Sequence, residues 1–411
     1  MTASMQGEVG PLMRRGPRPL LLHLTLAMLK STASLATPAS SLAGLPSLNA
    51  GSTAWSRAAA DIAAALQGRE PAFSQEVLAE TLRQDAGLIT GIAAYRAHPY
   101  ARTLADPPAI WAEGGSRVLD YAAPDAEGPP VLFVPSLVNR AYVLDLASDR
   151  SLMRFMAANG VRATLLDWGW PGEIERGFGL TDYIAGRLER AVANFGQPVV
   201  LAGYCMGGLL TLALAQRRPD LARGLALLAT PWDFHAADPE AARRLAAMLP
   251  LIEPALAFGG TLPVDMLQML FALLDPWGIA TKYRGFADLD PVSPRAIGFV
   301  ALEDWLNDGI PLAAPVARET LGQWYGANAT ARGEWRVAGL PVDPTRITAP
   351  ALVAVPAADR IVPPESARPL AALLARAHLI EPRAGHIGMA AGASAERVLW
   401  RPLLAWIRGL E

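Results

Sequence analysis

From residue 116 to 231 the chain alternates short apolar runs with longer stretches whose apolar residues return every three or four positions. RVLDYAA (117–123), VLFVPSLVN (131–139), VRATLLDW (161–168), PVVLAGY (198–204) and GLALLATP (224–231) are the apolar runs and predict strands. Between them AYVLDLASDRSLMRFMAANG (141–160) predicts a helix stopped at Gly160, and LTDYIAGRLERAVANFG (180–196) one capped at Gly196. MGGLLTLALAQRR (206–218) predicts a helix that follows a strand almost without a gap. The rhythm stops at residue 232. Residues 232–345 hold helical stretches such as PEAARRLAAMLPL and MLQMLFALL, with many Trp and Pro. It resumes with ITAPALVAVPAADRIVPP (347–364) as strand and loop, SARPLAALLARA as helix, HLIEPRAGHIGM (378–389) as strand and loop, and AERVLWRPLLAWIRGL as a closing helix. Strands that alternate with helices predict a mostly parallel central sheet with helices on both faces.

The domain layout follows from this. Residues 1–110 form an N-terminal region, in which 31–55, rich in Ser, Ala, Gly and Pro, reads as a linker and 56–97 as helical. Residues 111–231 and 346–411 form an α/β core. Residues 232–345 are an inserted, largely helical cap.

Composition narrows the function classes. Hydrophobic residues make up 52% and charged ones 18%, enough apolar material for a large core. The net charge is −2 and no basic stripe appears, which argues against nucleic acid as a partner. A single cysteine excludes an intrachain disulfide and any paired-cysteine metal or redox motif, so neither a metal nor another cofactor is expected. It also fits a reducing cytoplasm. MRRGPRPLLLHLTLAMLK (13–30) has basic flanks, but its apolar part is too short to span a bilayer. We read it as a buried or surface-docking helix.

That one cysteine lies in GYCMGG (203–208), between a predicted strand and a predicted helix. Gly-x-nucleophile-x-Gly in this context is a nucleophile elbow. The small flanking residues let backbone approach closely. The helix start offers free N–H groups and a positive dipole end, which favour a thiolate and an oxyanion. A thiol nucleophile needs a base and a group to orient that base. Of five histidines, His386 lies in the loop after the last strand, where this kind of fold carries its base. His378 opens a strand, and nothing fixes His235 at the site. The orienting acid is expected after the preceding strand, where Asp359 stands. Cys, Asp and His then follow in α/β-hydrolase order. The oxyanion hole is expected from two backbone N–H groups, that of Met206 and that of Val138 or Leu137, with Asn139 as support for the loop.

Several segments together resemble the polyhydroxyalkanoate synthases, a family on the α/β-hydrolase fold. They are PSLVNRAYVLDL (135–146), DWGWP (167–171) followed by LTDYI, GYCMGG, ALEDWLNDGIP (301–311), Asp359 with IVPP, and Gly385-His386. The resemblance runs in order from about residue 85 to 400. Two positions depart from the family pattern, Arg360 after the acid and Pro364 after the Val-Pro pair. The resemblance implies an acyltransferase that polymerises 3-hydroxyacyl-CoA into polyester through an acyl-cysteine, releasing CoA. It also implies a homodimer, a second synthase subunit and a polyester granule surface as partners. Trp277, Trp305 and Trp324 in the insert would suit an acyl tunnel or a dimer surface. The rival readings are a depolymerase or acyl-CoA thioesterase with the same triad, and a granule-surface protein without activity.

Overall fold

The computed structural model describes residues 14–36, 61, 64–66, 68–123 and 126–410. Eight strands make the main sheet: β1 (Ala109–Glu113), β2 (Ser116–Asp120), β3 (Val131–Val134), β4 (Ala163–Asp167), β5 (Val199–Tyr204), β6 (Ala222–Leu228), β7 (Ala351–Ala354) and β8 (Ala377–Ile380). Across the sheet they run β1-β2-β4-β3-β5-β6-β7-β8. Every neighbour pair from β4 to β8 is parallel, while β1 with β2 and β2 with β4 are antiparallel.

Register brings the C-terminal ends of the central strands to one edge. Val134 pairs with Gly203, Tyr204 with Leu228, and Ala354 with both Leu228 and Ile380. In an open α/β sheet this is the edge where ligands bind. On one face Leu132, Leu201, Leu225 and Val353 share a core with Ile184, Leu188, Leu209 and Leu212 from the flanking helices. The residues that alternate with them, Val131, Phe133, Val200, Ala226 and Leu352, are equally buried. A parallel sheet covered on both faces explains why these strands read as unbroken apolar runs.

The chain divides by contact into two compact units. One contains Ala101–Leu274 and the residues from Asp308 on, and holds the whole sheet. The other joins the described residues up to Tyr100 to Asp275–Asn307. In this second unit, helices Leu20–Ala36, Glu70–Ala97, Gly278–Ala287 and Pro294–Asn307 enclose Leu88, Ile92, Tyr95, Tyr283, Phe286 and Val300. Gly91 permits that packing: a Cβ there would stand 1.9 Å from the Tyr283 carbonyl oxygen. The polar layer is ordered too. Lys282 and Tyr283 both reach Glu303, at 2.6 and 2.9 Å, and Arg14 and Tyr95 both reach Asp304, at 2.7 and 2.8 Å.

Some local expectations change. The helix expected at 141–160 is a 3-10 turn (Ala141–Leu144), a short antiparallel pair (Asp145–Ala147 with Arg150–Ser151) and a helix only over Leu152–Ala158. The cause is Asp145. Its carboxylate is fully buried and takes hydrogen bonds from Arg102, Arg154 and Tyr121, which pins the backbone before a helix can form. The linker expected from residue 31 yields to a helix that runs on to Ala36, and residues 37–55 lie outside the described residues. Among the described residues no helix is long and apolar enough to cross a membrane.

Candidate active site

Cys205 sits in the turn between β5 and helix Met206–Arg217, with φ 56° and ψ −125°. Few non-glycine residues hold a positive φ, and the cost is about 1–3 kcal/mol. Local bonds hold it. Cys205 N–H donates to the Leu228 carbonyl on β6 at 2.8 Å, and the Cys205 carbonyl accepts from Gly208 N–H at 3.0 Å. The glycines of the motif are required by contact. A Cβ at Gly207 would stand 2.0 Å from the Val134 carbonyl oxygen, and one at Gly203 would stand 2.4 Å from Gly208 Cα. Helix and strands can therefore close on the elbow only without side chains there.

Asp359 and His386 come from the loops after β7 and β8. These loops continue the strand pairing beyond the sheet: Val355, Ala357 and Ala358 N–H groups donate to the carbonyls of Ile380, Pro382 and Ala384 at 2.9 to 3.0 Å. The zipper carries the acid to the base. Asp359 Oδ2 lies 2.7 Å from His386 Nδ1, while Asp359 Oδ1 accepts from Ile361 and Val362 N–H at 2.9 Å each. Both side chains are buried. His386 is also hydrogen-bonded to the Cys205 side chain. Burial works against charge on the imidazole, but the Cys205 side chain and the Asp359 carboxylate outweigh it and raise the His386 pKa to about 10.

The other expected residues are Met206 and those of the loop after β3. Met206 opens its helix, so its N–H has no partner within that helix. Val138 N–H donates to Ser136 Oγ at 3.2 Å. Asn139 Oδ1 is buried and has no hydrogen-bond partner among the described residues. The remaining histidines bond elsewhere or face solvent. His23 and His98 bond the carbonyls of Arg18 and Pro291, His235 bonds that of Tyr325, and His378 is exposed on β8. Trp305 and Trp324 are buried in packing, whereas Trp277 is exposed.

Two tyrosines escaped the sequence reading. Tyr204, just before the cysteine, is buried with its ring 5.2 Å from His386 and donates its hydroxyl to the His386 carbonyl at 3.2 Å. Its place beside Cys205 was the available signal. Tyr325 belongs to the insert and lies within electrostatic range of Cys205, with no local motif to mark it. Among the described residues no cluster of His, Cys, Asp and Glu is arranged to hold a metal ion. A cysteine at a helix start and an imidazole held by a buried carboxylate can carry out nucleophilic acyl transfer.

Residues 131–399 match the alpha/beta hydrolase family. Over 295 residues the chain is 31% identical to the poly(3-hydroxyalkanoate) polymerase subunit PhaC of Allochromatium vinosum, covering 69% of this chain and 82% of that protein. It is 30% identical over 308 residues to the subunit of the same name from Haloferax mediterranei, covering 72% of this chain and 62% of that one. Among solved structures it is similar to the Paleococcus ferrophilus monoacylglycerol lipase, at 19% identity and a TM-score of 0.45, over 69% of this chain and 97% of that one.

Proposed function

This chain belongs to the poly(3-hydroxyalkanoate) polymerase family of α/β-hydrolase-fold acyltransferases, and we propose that it joins 3-hydroxyacyl units from CoA thioesters into polyester through an acyl-cysteine at Cys205. His386 takes the Cys205 proton. The thiolate attacks the thioester carbonyl carbon, and the oxyanion is held by the N–H groups of Met206 and the loop after β3. Leu137 is the better loop donor, because the Val138 N–H is already engaged by Ser136. The bond from carbon to the CoA sulfur breaks, and His386 returns the proton to CoA. The 3-hydroxyl of another unit then attacks the acyl-cysteine, giving up its proton to His386 as the ester bond forms and the thiolate leaves. Asp359 holds the imidazole in one tautomer throughout.

The thiol has a thermodynamic reason. Exchange between a CoA thioester and an enzyme thioester is nearly isoenergetic, so the acyl group stays activated for the next bond. A serine ester would lose that activation. In this reading the parts of the insert that share the unit of the sheet, 232–274 and 308–345, cap the site. A homodimer, a second synthase subunit and a granule surface are the proposed partners. The exposed Leu251 and Phe258 on helix Leu249–Gly259 are apolar surface such a partner would cover.

The observation that carries the reading is the strained cysteine at a strand-to-helix turn together with the buried 2.7 Å Asp359–His386 pair. The test is incubation with 3-hydroxybutyryl-CoA. Release of CoA with insoluble polymer, lost in Cys205→Ala, is expected. Release with free acid alone points to a thioesterase, and no release removes the enzymatic reading.

A further inference from the structure

We propose that Ser136 is the positioning residue of the oxyanion hole: its hydroxyl ties the loop after β3 to Met206, so that the Leu137 and Met206 N–H groups stay free for the oxygen of a reacting acyl group. The inference rests on the acyl-cysteine reading above. The loop leaves β3 beside the elbow, since Val134 pairs with Gly203, two residues before Cys205. It is gripped first at Pro135, whose carbonyl accepts from Trp168 Nε1 at 3.0 Å. Trp168 is itself buried and meets the Tyr183 ring edge-on at 5.4 Å. A Cβ at Gly207 would stand 2.7 Å from the same Pro135 oxygen, so the start of helix Met206–Arg217 lies directly against it. Ser136 then acts on both sides of the hole. Its Oγ accepts from the Val138 N–H at 3.2 Å, a turn in which a serine side chain stands in for a backbone carbonyl. The same Oγ lies 3.8 Å from Met206 Sδ, a weak acceptor to which it donates.

These bonds decide which N–H groups are left over. Val138 is engaged, while among the described residues neither the Leu137 nor the Met206 N–H has a hydrogen-bond partner. Both residues are buried, at 3% and 6% exposure. Buried backbone N–H groups are rarely left unpaired, because leaving them so is costly. Two of them, on separate segments beside a strained nucleophile, are what a developing oxyanion needs. The Ser136 bond to sulfur is weak, so its contribution is one of geometry: a single hydroxyl sets the spacing of the two segments. Without that hydroxyl the Val138 N–H is released, the loop is free to turn, and the Leu137 N–H is no longer held at one distance from that of Met206. The consequence depends on the reaction. When the Cys205 sulfur adds to an acyl carbon, the π pair of the carbonyl moves onto its oxygen, and the two N–H groups meet that charge. When the same sulfur displaces iodide from iodoacetamide, the charge leaves on iodide and the hole is not used.

The test compares these two reactions of Cys205 in the full chain. Acylation is followed in single turnover with 3-hydroxybutyryl-CoA and with p-nitrophenyl acetate, and alkylation with iodoacetamide, each as mass gained on the Cys205 peptide. In Ser136→Ala the acylation rate should fall roughly tenfold with either donor, short of the roughly 100-fold or more that loss of an oxyanion donor itself costs. The half-saturating concentration of 3-hydroxybutyryl-CoA and the alkylation rate should stay at their wild-type values. Ser136→Thr keeps the hydroxyl and should restore most of the acylation rate. Unchanged acylation in Ser136→Ala, an equal fall in acylation and alkylation, or no recovery in Ser136→Thr overturns the assignment. Wild-type protein acetylated by p-nitrophenyl acetate but untouched by 3-hydroxybutyryl-CoA overturns the proposed function, and the assignment is then decided on the acetyl donor. Wild-type protein acylated by neither overturns both.

Discussion

At neutral pH the His386 imidazole is protonated, held so by the Cys205 side chain and the Asp359 carboxylate against the effect of burial. Removing the imbalance has a measurable consequence. Without the imidazole, Cys205 loses the neighbouring cation that favours its reactive thiolate form. In His386→Ala, alkylation of Cys205 by iodoacetamide at pH 6.5 should slow by roughly 10 to 100-fold and recover near pH 9.5. Because Cys205 is the only cysteine, total protein mass reads the reaction; equal rates in the two proteins would discard the ion pair. Stability carries the same signature. The folded pKa, about 10, lies above the ordinary histidine value of 6.5. The stabilisation is therefore whole below about 6.5 and is lost as pH rises through about 10. The thermal midpoint of the wild type should fall over that window, and Asp359→Asn, which removes one of the charges responsible, should flatten the fall. Residues of this kind were legible because their chemistry is tied to position. A nucleophile between glycines at a strand end, an acid and a base in the next two loops can be found by reading along the chain. Tyr325 cannot, since its place depends on a loop 90 residues earlier, which bonds its carbonyl through His235 and its neighbour Asn328 through Phe234.

Elements carry the next set of constraints. The elbow works only because helix Met206–Arg217 lies against the end of β3. Gly207→Ala would force a methyl group to 2.0 Å from the Val134 carbonyl oxygen. We expect a loss of about 3 kcal/mol in denaturant unfolding, with Cys205 alkylation disturbed as well; a stable Gly207→Ala protein would mean that the helix can shift away freely. Across the sheet, Arg187 ties the helical segment at 182–193 to the β1–β2 turn. It is 3% exposed, pairs with Glu175 at 2.8 Å and donates to Ser116 Oγ at 3.0 Å. Arg187→Ala leaves Glu175 buried without its partner and should cost about 3–5 kcal/mol, whereas Arg187→Ala with Glu175→Ala should recover part of that loss. The same physics limits what periodicity can reveal. Strands buried on both faces announce themselves as apolar runs, and β3 to β7 were found that way. β1 was not: its short apolar stretch, 109–112, lies at the sheet edge, mostly exposed, between Pro108 and the turn at Gly114 and Gly115. The stretch at 141–160 misled for the opposite reason. Its apolar residues keep helical spacing, but one buried carboxylate, Asp145, overrides them through Arg154 within the stretch and two partners outside it, Arg102 and Tyr121.

For the whole molecule, the decisive feature is that one chain builds two cores. The sheet unit has its own, and the helical unit gathers Leu88, Ile92, Tyr95, Tyr283, Phe286 and Val300 around side chains from both its sequence segments. Sequence pattern made the inserted segment visible as a break in strand–helix alternation. It could not reveal that Asp275–Asn307 packs with helix Glu70–Ala97, because that pairing is set by shape, at Gly91 against the Tyr283 backbone, and by the pairs Lys282–Glu303 and Tyr95–Asp304. Separate cores should open separately. Phe286 is nearly fully buried and stacks on Phe299 at 4.4 Å. Phe286→Ala should remove about 3–5 kcal/mol from the helical unit. Hydrogen exchange followed by peptide mass should then show faster exchange in residues 70–97 and 278–307 together, with protection of β3, β5 and β6 kept near the wild-type level. Faster exchange spread evenly over both sets would mean that the two cores unfold as one cooperative body, and faster exchange in 278–307 alone would mean that the N-terminal helix does not depend on the insert for its order.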